Sequence, residues 1–426
     1  MVDPVNRRII GLRKSETVRQ VAGTSVAAFI LIVLVAGFPA FLEGFDTNLY
    51  FFGSPFILDS VKGALIFLGL IGTGFSAGLA IFSLVGGFLF DKFSVKYVVM
   101  IAVSIFAVFT LLTGFPGNLA DLFVYRFMVG VGVGMFQPAG VALLGDLFFE
   151  TRGRAVAVWA MFFGVGLFLG PLVMAPFLPL FSTPFIISGI IGLFAILIFF
   201  LVIPNTYKKV QRVKVSIKGL FNRNVIMLSI SILAYGVAQF GFLSYFSDYL
   251  LKVLLIPSGK AALITSMEGI GGFICAVPIG MAADRFGRKY LVIFAAAVLL
   301  LGTVGIWLLT TQVTGFMVYT FLYGAGWGVY VDLLVALVQD SVQDNVVGSI
   351  SGWMFFIFNI GTLFGGPIFG LLAGLSFRIA GIYGLIIPTT IAFLMTLGTK
   401  KVTKSNIAEK PAFLAGTAGD LRGGNR

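Results

Sequence analysis

Apolar residues in this chain run in long unbroken blocks separated by short polar stretches. A helix needs about 20 apolar residues to cross a bilayer. Twelve such segments can be marked, at 22–52, 63–90, 97–115, 118–146, 155–177, 184–203, 224–250, 259–283, 290–310, 314–340, 348–373 and 376–398. Short segments of alternating polarity, the mark of a membrane β-barrel, are not seen. The first apolar run is longer than a signal-peptide core, so span 1 is read as retained. Many of the 54 glycines fall inside the spans, where small residues let helix backbones approach closely. The expected fold is an all-α membrane protein of twelve transmembrane helices.

Composition agrees with the pattern. Hydrophobic residues make up 59% of the 426 positions and charged residues 11%, with a mean hydropathy of +1.06. A soluble domain is about a quarter charged. Soluble enzymes, nucleic-acid binders and disordered scaffolds are excluded as the main reading. Cys275 is the one cysteine and histidine is absent, so no metal site and no cofactor is expected. Proton chemistry must then run on carboxylates. An enzyme embedded in the membrane would need a metal or convergent catalytic groups, and these absences argue against one. No phosphate-binding Walker motif is present, so ATP is not the expected energy source.

The net charge of +12 is explained by where the charges sit. With the N-terminus inside, inner segments hold 24 of the 29 basic residues, and outer loops hold four: Lys62, Lys252, Lys260 and Arg378. Arg126 lies within a span. This asymmetry predicts a multi-pass protein of the cell membrane with both termini in the cytoplasm. The basic segments then face the anionic lipid of the cytoplasmic leaflet rather than nucleic acid.

The chain also repeats itself. Gly87-x-x-x-Asp91-Lys92 after span 2 matches Gly280-x-x-x-Asp284-Arg285 after span 8. Gly130, Gly132 and Gly134 match Gly324, Gly326 and Gly328, and Glu150 matches Asp344. Gly166-x-x-x-Gly170-Pro171 matches Gly361-x-x-x-Gly365 with Pro367. The expected organisation is a segment at 1–21, a six-helix bundle at 22–203, a basic linker at 204–223, a second six-helix bundle at 224–398 and a tail at 399–426. Two bundles of duplicated plan suggest rocking around a central site.

Gly280-x-x-x-Asp284-Arg285-Phe286-Gly287-Arg288-Lys289 resembles the loop signature of the major facilitator superfamily. In the first copy Lys92 replaces Arg, Ser94 replaces Gly and Val95 replaces Arg. The resemblance covers about residues 20–400 and implies that family's fold, with members working mostly as monomers. It also implies a gate at these loops, formed by Asp91, Asp284, Arg285 and Arg288, with Arg152 and Arg154 as local partners. Charge-assisted hydrogen bonds there would hold one conformation and break in the other.

Ionisable groups at membrane depth are costly and are functional candidates by default. Here they are Glu43, Asp46, Arg126, Asp248, Glu268 and Asp332; Asp121, Asp146 and Asp340 lie near span ends. Glu43 and Asp46 are three residues apart and share a helix face. From the span limits, Asp46 lies about 9 Å, Glu43 about 13 Å and Arg126 about 12 Å from the outer ends of their spans. The three can therefore pair if spans 1 and 4 face one cavity, an adjacency that the superfamily fold implies. In the repeat, Glu43 aligns with Gly236, Asp46 with Gln239, and Arg126 with Thr320 or Tyr319. The charged trio thus belongs to the first half alone.

Glu43-Gly44-Phe45-Asp46-Thr47 followed by Pro55 is similar to the span-1 wording of the aromatic acid:proton symporters and related metabolite:proton symporters. Tyr125-Arg126-Phe127-x-x-Gly130 is similar to their span 4. Glu43 departs from the usual Asp. The implied solute is a small organic anion, moved with protons. On this reading Asp46, with Glu43, carries the proton and Arg126 receives a carboxylate. Burial and the arginine oppose each other in setting the proton affinity of the acids. Glu268 and Asp332 are either a second proton site or substrate contacts, or else they pair with a tyrosine or face a wet crevice. Substrate-site candidates besides Arg126 are Gln137, Tyr235, Gln239, Tyr323 and Tyr330, with Tyr50, Tyr245 and Trp327 beside them. The alternative function is a proton-antiporting exporter of drugs or hydrophobic metabolites, and only Gly166-x-x-x-Gly170-Pro171 speaks for it. That motif also reads as helix packing with a proline kink.

Overall fold

The computed structural model describes residues 26–147, 152–203, 222–342 and 347–400. They form twelve membrane-crossing helices, with no strand among them. The first six are α1 (Val26–Ser60), α2 (Ile66–Lys92), α3 (Val95–Thr113), α4 (Leu119–Leu147), α5 (Arg152–Met174) and α6 (Ser182–Val202). The second six are α7 (Arg223–Asp248), α8 (Ser258–Phe286), α9 (Arg288–Val304), α10 (Val313–Asp340), α11 (Val347–Ala373) and α12 (Phe377–Leu397). Wide turns extend α7 over Tyr249–Val253 and α9 over Gly305–Leu309, and another lies within α12 at Gly381–Ile386. Eleven helices meet the length and apolarity needed to span a bilayer, and α1 is the twelfth. α1–α6 pack chiefly on one another, as do α7–α12, so the chain forms two six-helix bundles.

Most span limits lie within a few residues of those read from the pattern. Span 1 is the exception: α1 continues past residue 52 to Ser60. Pro55 removes one backbone donor and leaves the carbonyl of Phe51 without its helical partner. The Ser54 hydroxyl supplies the missing bond, donating to that carbonyl at 3.0 Å. The depths given for Glu43 and Asp46 are corrected accordingly. Asp46 stands about 21 Å from the end of α1 by the helical rise.

The repeated glycines perform the same packing in both halves. A side chain at Gly166 or Gly170 of α5 would strike backbone atoms of α1 between Phe41 and Leu49. One at Gly361 or Gly365 of α11 would strike α7 between Leu233 and Gly241. Gly130 and Gly134 set α4 against α2, as Gly324 and Gly328 set α10 against α8. These contacts bring helix axes close and give dispersion forces short range to act over.

The loop copies differ in backbone. Gly287 has φ +96°, a conformation open to glycine and strained for other residues, and it turns the chain from α8 into α9. Ser94, at the matching place between α2 and α3, has φ −60° and ψ 131°. The first loop makes its turn in a region any residue adopts, which accounts for the absence of glycine there.

Candidate functional site

Asp46, Arg126 and Thr110 meet in the interior of the first half. Arg126 is 0% exposed and Asp46 1%. The Arg126 Nη1 donates to Asp46 Oδ2 at 2.9 Å, and the Thr110 hydroxyl donates to Asp46 Oδ1 at 2.9 Å. The guanidinium lies 4.0 Å from the centre of the Tyr50 ring and 5.3 Å from that of Phe75. Aromatic faces favour a cation most when water is excluded. The Nε and Nη2 of Arg126 have no hydrogen-bond partner among the described residues. The arginine thus spends one donor on Asp46 and holds the remainder in reserve.

Glu43 does not join that pair. Its Oε1 accepts from Gln137 Nε2 at 2.6 Å, while Oε2 is buried without a partner among the described residues. The expected trio is therefore an Asp46–Arg126 ion pair beside a Glu43–Gln137 contact. Gly44 fixes this face of α1: a side chain there would meet the Phe163 carbonyl of α5. Asn48 ties the next turn to α5 by donating to Leu167 O at 2.9 Å.

The second half buries a different set. Glu268, Tyr235, Tyr323, Gln239 and Thr320 are all at most 6% exposed. Glu268 Oε2, Gln239 Oε1 and the three hydroxyl oxygens have no partner among the described residues. Tyr235, Tyr323 and Glu268 lie within electrostatic reach of one another. Tyr330 packs edge-on to Tyr235 with ring centres 5.1 Å apart, but its hydroxyl is engaged with Ser231 at 2.6 Å. Asp332 keeps an accessible carboxylate on the half of α10 nearer Asp340. It joins neither cluster.

Aromatic side chains meet where the two halves face each other. Tyr50 meets Phe51 edge-on at 5.3 Å, and Phe51 meets Phe240 of α7 at 6.1 Å. Trp327 of α10 packs on Phe163 of α5 at 6.4 Å.

Polar contacts between the halves gather from mid-depth to the face opposite the termini. Lys252 donates to Asp59 Oδ2 at 2.6 Å and to Pro55 O at 2.9 Å. The Tyr245 hydroxyl accepts from Gly69 N at 3.0 Å and sits near Leu65 O at 3.2 Å. Thr73 donates to Leu363 O at 2.8 Å and Ser266 to Phe168 O at 2.7 Å. Tyr245 is thus a contact between halves. The buried Asp248 lies within electrostatic reach of Lys252.

At the other face, Arg288 pairs with Asp340 at 2.6 Å and donates to Ala336 O at 3.3 Å. This contact joins the second loop signature to the end of α10 within one half. Arg285 is exposed, with its guanidinium 5.5 Å from the Phe286 ring centre. The side chains of Asp91, Asp284, Arg152, Arg154 and Asp146 lie outside the described residues, as do Glu150 and Asp344. The sequence alone does not mark Thr110 or Thr320 as site residues, nor Lys252 as the partner of Asp59. Thr110 and Thr320 carry no charge to mark them, and Asp59 and Lys252 sit at span ends where ionisable residues are ordinary.

Comparison with known proteins places this architecture. A family model described as Major Facilitator Superfamily matches residues 36–366 and 256–422. The chain belongs to the major facilitator superfamily. It is 25% identical over 404 residues to the hexuronate transporter of Bacillus subtilis, covering 86% of this chain and 93% of the relative. It is 26% identical over 297 residues to the 4-hydroxybenzoate transporter PcaK of Pseudomonas aeruginosa, covering 60% of this chain and 66% of the relative. The inward-open structure of the xylose transporter XylE of E. coli superposes with a TM-score of 0.71 at 18% identity, over 89% of this chain and 98% of that one. At that identity the likeness shows the fold. The protein is a multi-pass membrane transporter and not an enzyme. Its similarity to the 4-hydroxybenzoate transporter supports the aromatic-acid resemblance noted in spans 1 and 4.

Proposed function

We propose that this transporter is a proton-coupled symporter of a small organic anion, working by alternating access in the cell membrane with both termini in the cytoplasm. The observation that carries the proposal is the buried Asp46–Arg126 pair with two uncommitted guanidinium nitrogens. Breaking such a pair leaves an uncompensated buried charge and costs about 3–5 kcal/mol. A proton arriving on Asp46 and an anion arriving at Arg126 each unbalance the buried pair. Together they exchange one carboxylate for another beside Arg126. The guanidinium fork can hold a carboxylate by two parallel hydrogen bonds. Proton and solute are coupled because each charge change offsets the other.

Glu43 is the second carboxylate of this region, held by Gln137. Glu268 and Asp332 supply further ionisable groups in the second half, and Gln137, Tyr235, Gln239, Tyr323 and Tyr330 contribute to the solute's surroundings. Both clusters come from one chain, so a monomer suffices. The contacts of Lys252, Tyr245 and Thr73 close the face opposite the termini, which the charge distribution assigns to the outside. Asp91, Asp284, Arg285, Arg288, Arg152 and Arg154 stand at the other face and are proposed to latch it in the alternate state. Hexuronates and 4-hydroxybenzoate differ in scaffold but share a carboxylate, which supports the assignment of the anion. Gly166-x-x-x-Gly170-Pro171 packs α5 on α1 just as its repeat packs α11 on α7, and so lends the exporter reading no separate support.

The test is proton flux in proteoliposomes that contain a pH dye, with inner and outer pH matched. Adding 4-hydroxybenzoate or a hexuronate is expected to acidify the lumen, and Asp46→Asn is expected to abolish the signal. Full proton-driven uptake by Asp46→Asn would sink the coupling. Proton exit on adding a hydrophobic cation would replace symport by the exporter.

A further inference from the structure

Five of the second half's buried polar residues are not explained by fixing the fold. A structural network satisfies its members, and an unsatisfied buried polar group costs about 1–3 kcal/mol. Here Glu268, Tyr235, Tyr323, Thr320 and Gln239 each carry an atom with no partner among the described residues. The neighbouring Tyr330 shows the contrast, because its hydroxyl is matched by Ser231, which in turn donates to Ala392 O at 2.6 Å. The unmatched atoms come from α7, α8 and α10, so no single helix register explains them.

Their chemistry defines a ligand. No basic residue lies at membrane depth in the second half; Lys252, Lys260, Arg285, Arg288, Lys289 and Arg378 all stand at or beyond helix ends. An anion has no partner there. A carboxylate and an amide oxygen accept hydrogen bonds, and three hydroxyls both donate and accept. That set fits a neutral group with an O–H to give and lone pairs to receive. Gln239 and Thr320 also occupy the positions that match Asp46 and Arg126 in the repeat. The duplicated site thus holds an ion pair in the first half and unmatched hydrogen-bonding groups without a cation in the second.

We infer that Glu268, Tyr235, Tyr323, Thr320 and Gln239 form a hydroxyl-reading subsite, so that the solute is a hydroxylated carboxylate. This rests on the carboxylate reading proposed above. Arg126 takes the carboxylate and the second-half cluster takes the hydroxyl, with Glu268 as its acceptor. A solute without the hydroxyl leaves the cluster unmatched and is disfavoured by about fivefold to a hundredfold, the range that an unsatisfied buried polar group costs.

The experiment is competition in proteoliposomes with two matched pairs: 4-hydroxybenzoate against benzoate, and glucuronate against cyclohexanecarboxylate. The wild type is expected to prefer the hydroxylated member of the pair it carries. Glu268→Gln and Tyr323→Phe are each expected to reduce uptake of the hydroxylated member at least fivefold more than uptake of the plain acid. Tyr323→Phe keeps the ring that stacks on Phe242 at 4.2 Å, so a folded protein is retained if Glu268→Gln is not. An unchanged preference in both variants overturns the subsite and leaves the carboxylate reading standing. An equal loss for both members of a pair overturns it too and makes Glu268 a proton site. If the wild type moves none of the four acids, the carboxylate reading fails and the subsite with it.

Discussion

Gly166 and Gly170 press α5 onto α1, and Gly361 and Gly365 press α11 onto α7 in the same manner. On this shared frame the two halves bury opposite kinds of polar group. The first half holds Asp46 against Arg126, with Thr110 completing the carboxylate's contacts. The second has Gln239 and Thr320 at the matching positions, with Glu268 nearby and no buried cation among the described residues. The glycines set how close two helices come, and every helix pair in both bundles needs that. On the function proposed above, the charges set what the site recognises, and one pole for a carboxylate suffices. Duplication therefore preserves the packing residues and leaves the chemistry free to diverge.

The largest effect comes from breaking the charged pole. Arg126→Leu leaves Asp46 as an unpaired buried charge and is expected to cost about 3–5 kcal/mol in thermal unfolding, with uptake abolished. Adding Asp46→Leu is expected to restore most of that stability, because an apolar pair of similar size replaces a buried ion pair at little cost. Uptake stays absent in the double variant if the pair serves transport, and a double variant that transports would break the comparison at its root.

Next is the frame. Gly166→Ala places a methyl against α1 backbone and is expected to cost about 1–3 kcal/mol, as overpacking does. Gly361→Ala should cost a similar amount, since the same geometry recurs. Gly280→Ala, with no heavy atom within 4 Å of the added carbon, serves as the silent control. Unequal losses at Gly166 and Gly361, read from melting temperatures in detergent, would show that the halves are not packed alike.

A smaller effect is expected at Glu43. Glu43→Gln keeps a polar side chain facing Gln137 and leaves Asp46–Arg126 intact. Initial uptake rates should fall by less than those of Asp46→Asn. Equal loss in the two variants would make the acids one functional unit.

The smallest effect concerns the contact between halves. Lys252 and Asp59 are 33% and 59% exposed, and exposed pairs contribute about 0–1 kcal/mol. Lys252→Ala is expected to shift the balance of conformations up to about fivefold. Spin labels on Lys62 and Ser258 should then show more of the longer distance. An unchanged distribution assigns the closure to Tyr245 and Thr73.

The comparison also shows why parts of the site were legible in the chain and others were not. An ion at membrane depth is costly, so Asp46, Glu43 and Arg126 stand out against an apolar background. Their pairing does not stand out. Glu43 and Asp46 share a helix face, yet Asp46 takes the arginine and Glu43 takes Gln137, because the reach across to α4 decides each partner. Thr110 carries no signal, since a threonine in an apolar helix more often bonds its own backbone, as Thr113 does to Phe109 O at 2.7 Å. Asp59 and Lys252 look like ordinary loop charges until the two halves are brought together.

Hydrophobic block length determined the number and course of the helices, because each must hide its backbone from lipid by itself. The spacing of small residues determined which faces pack closely, and the repeat determined that there are two bundles. Three features were decided by tertiary structure alone. The Lys252 bonds to Pro55 O and Asp59 near the end of α1 form only when the two halves meet. Arg126 sits over Tyr50 with donors to spare because helices distant in the chain converge there. The second half's hydroxyls and carboxylate become a cluster only when α7, α8 and α10 meet. Local pattern reports the cost of putting a residue in lipid; which partner offsets that cost depends on distances between helices.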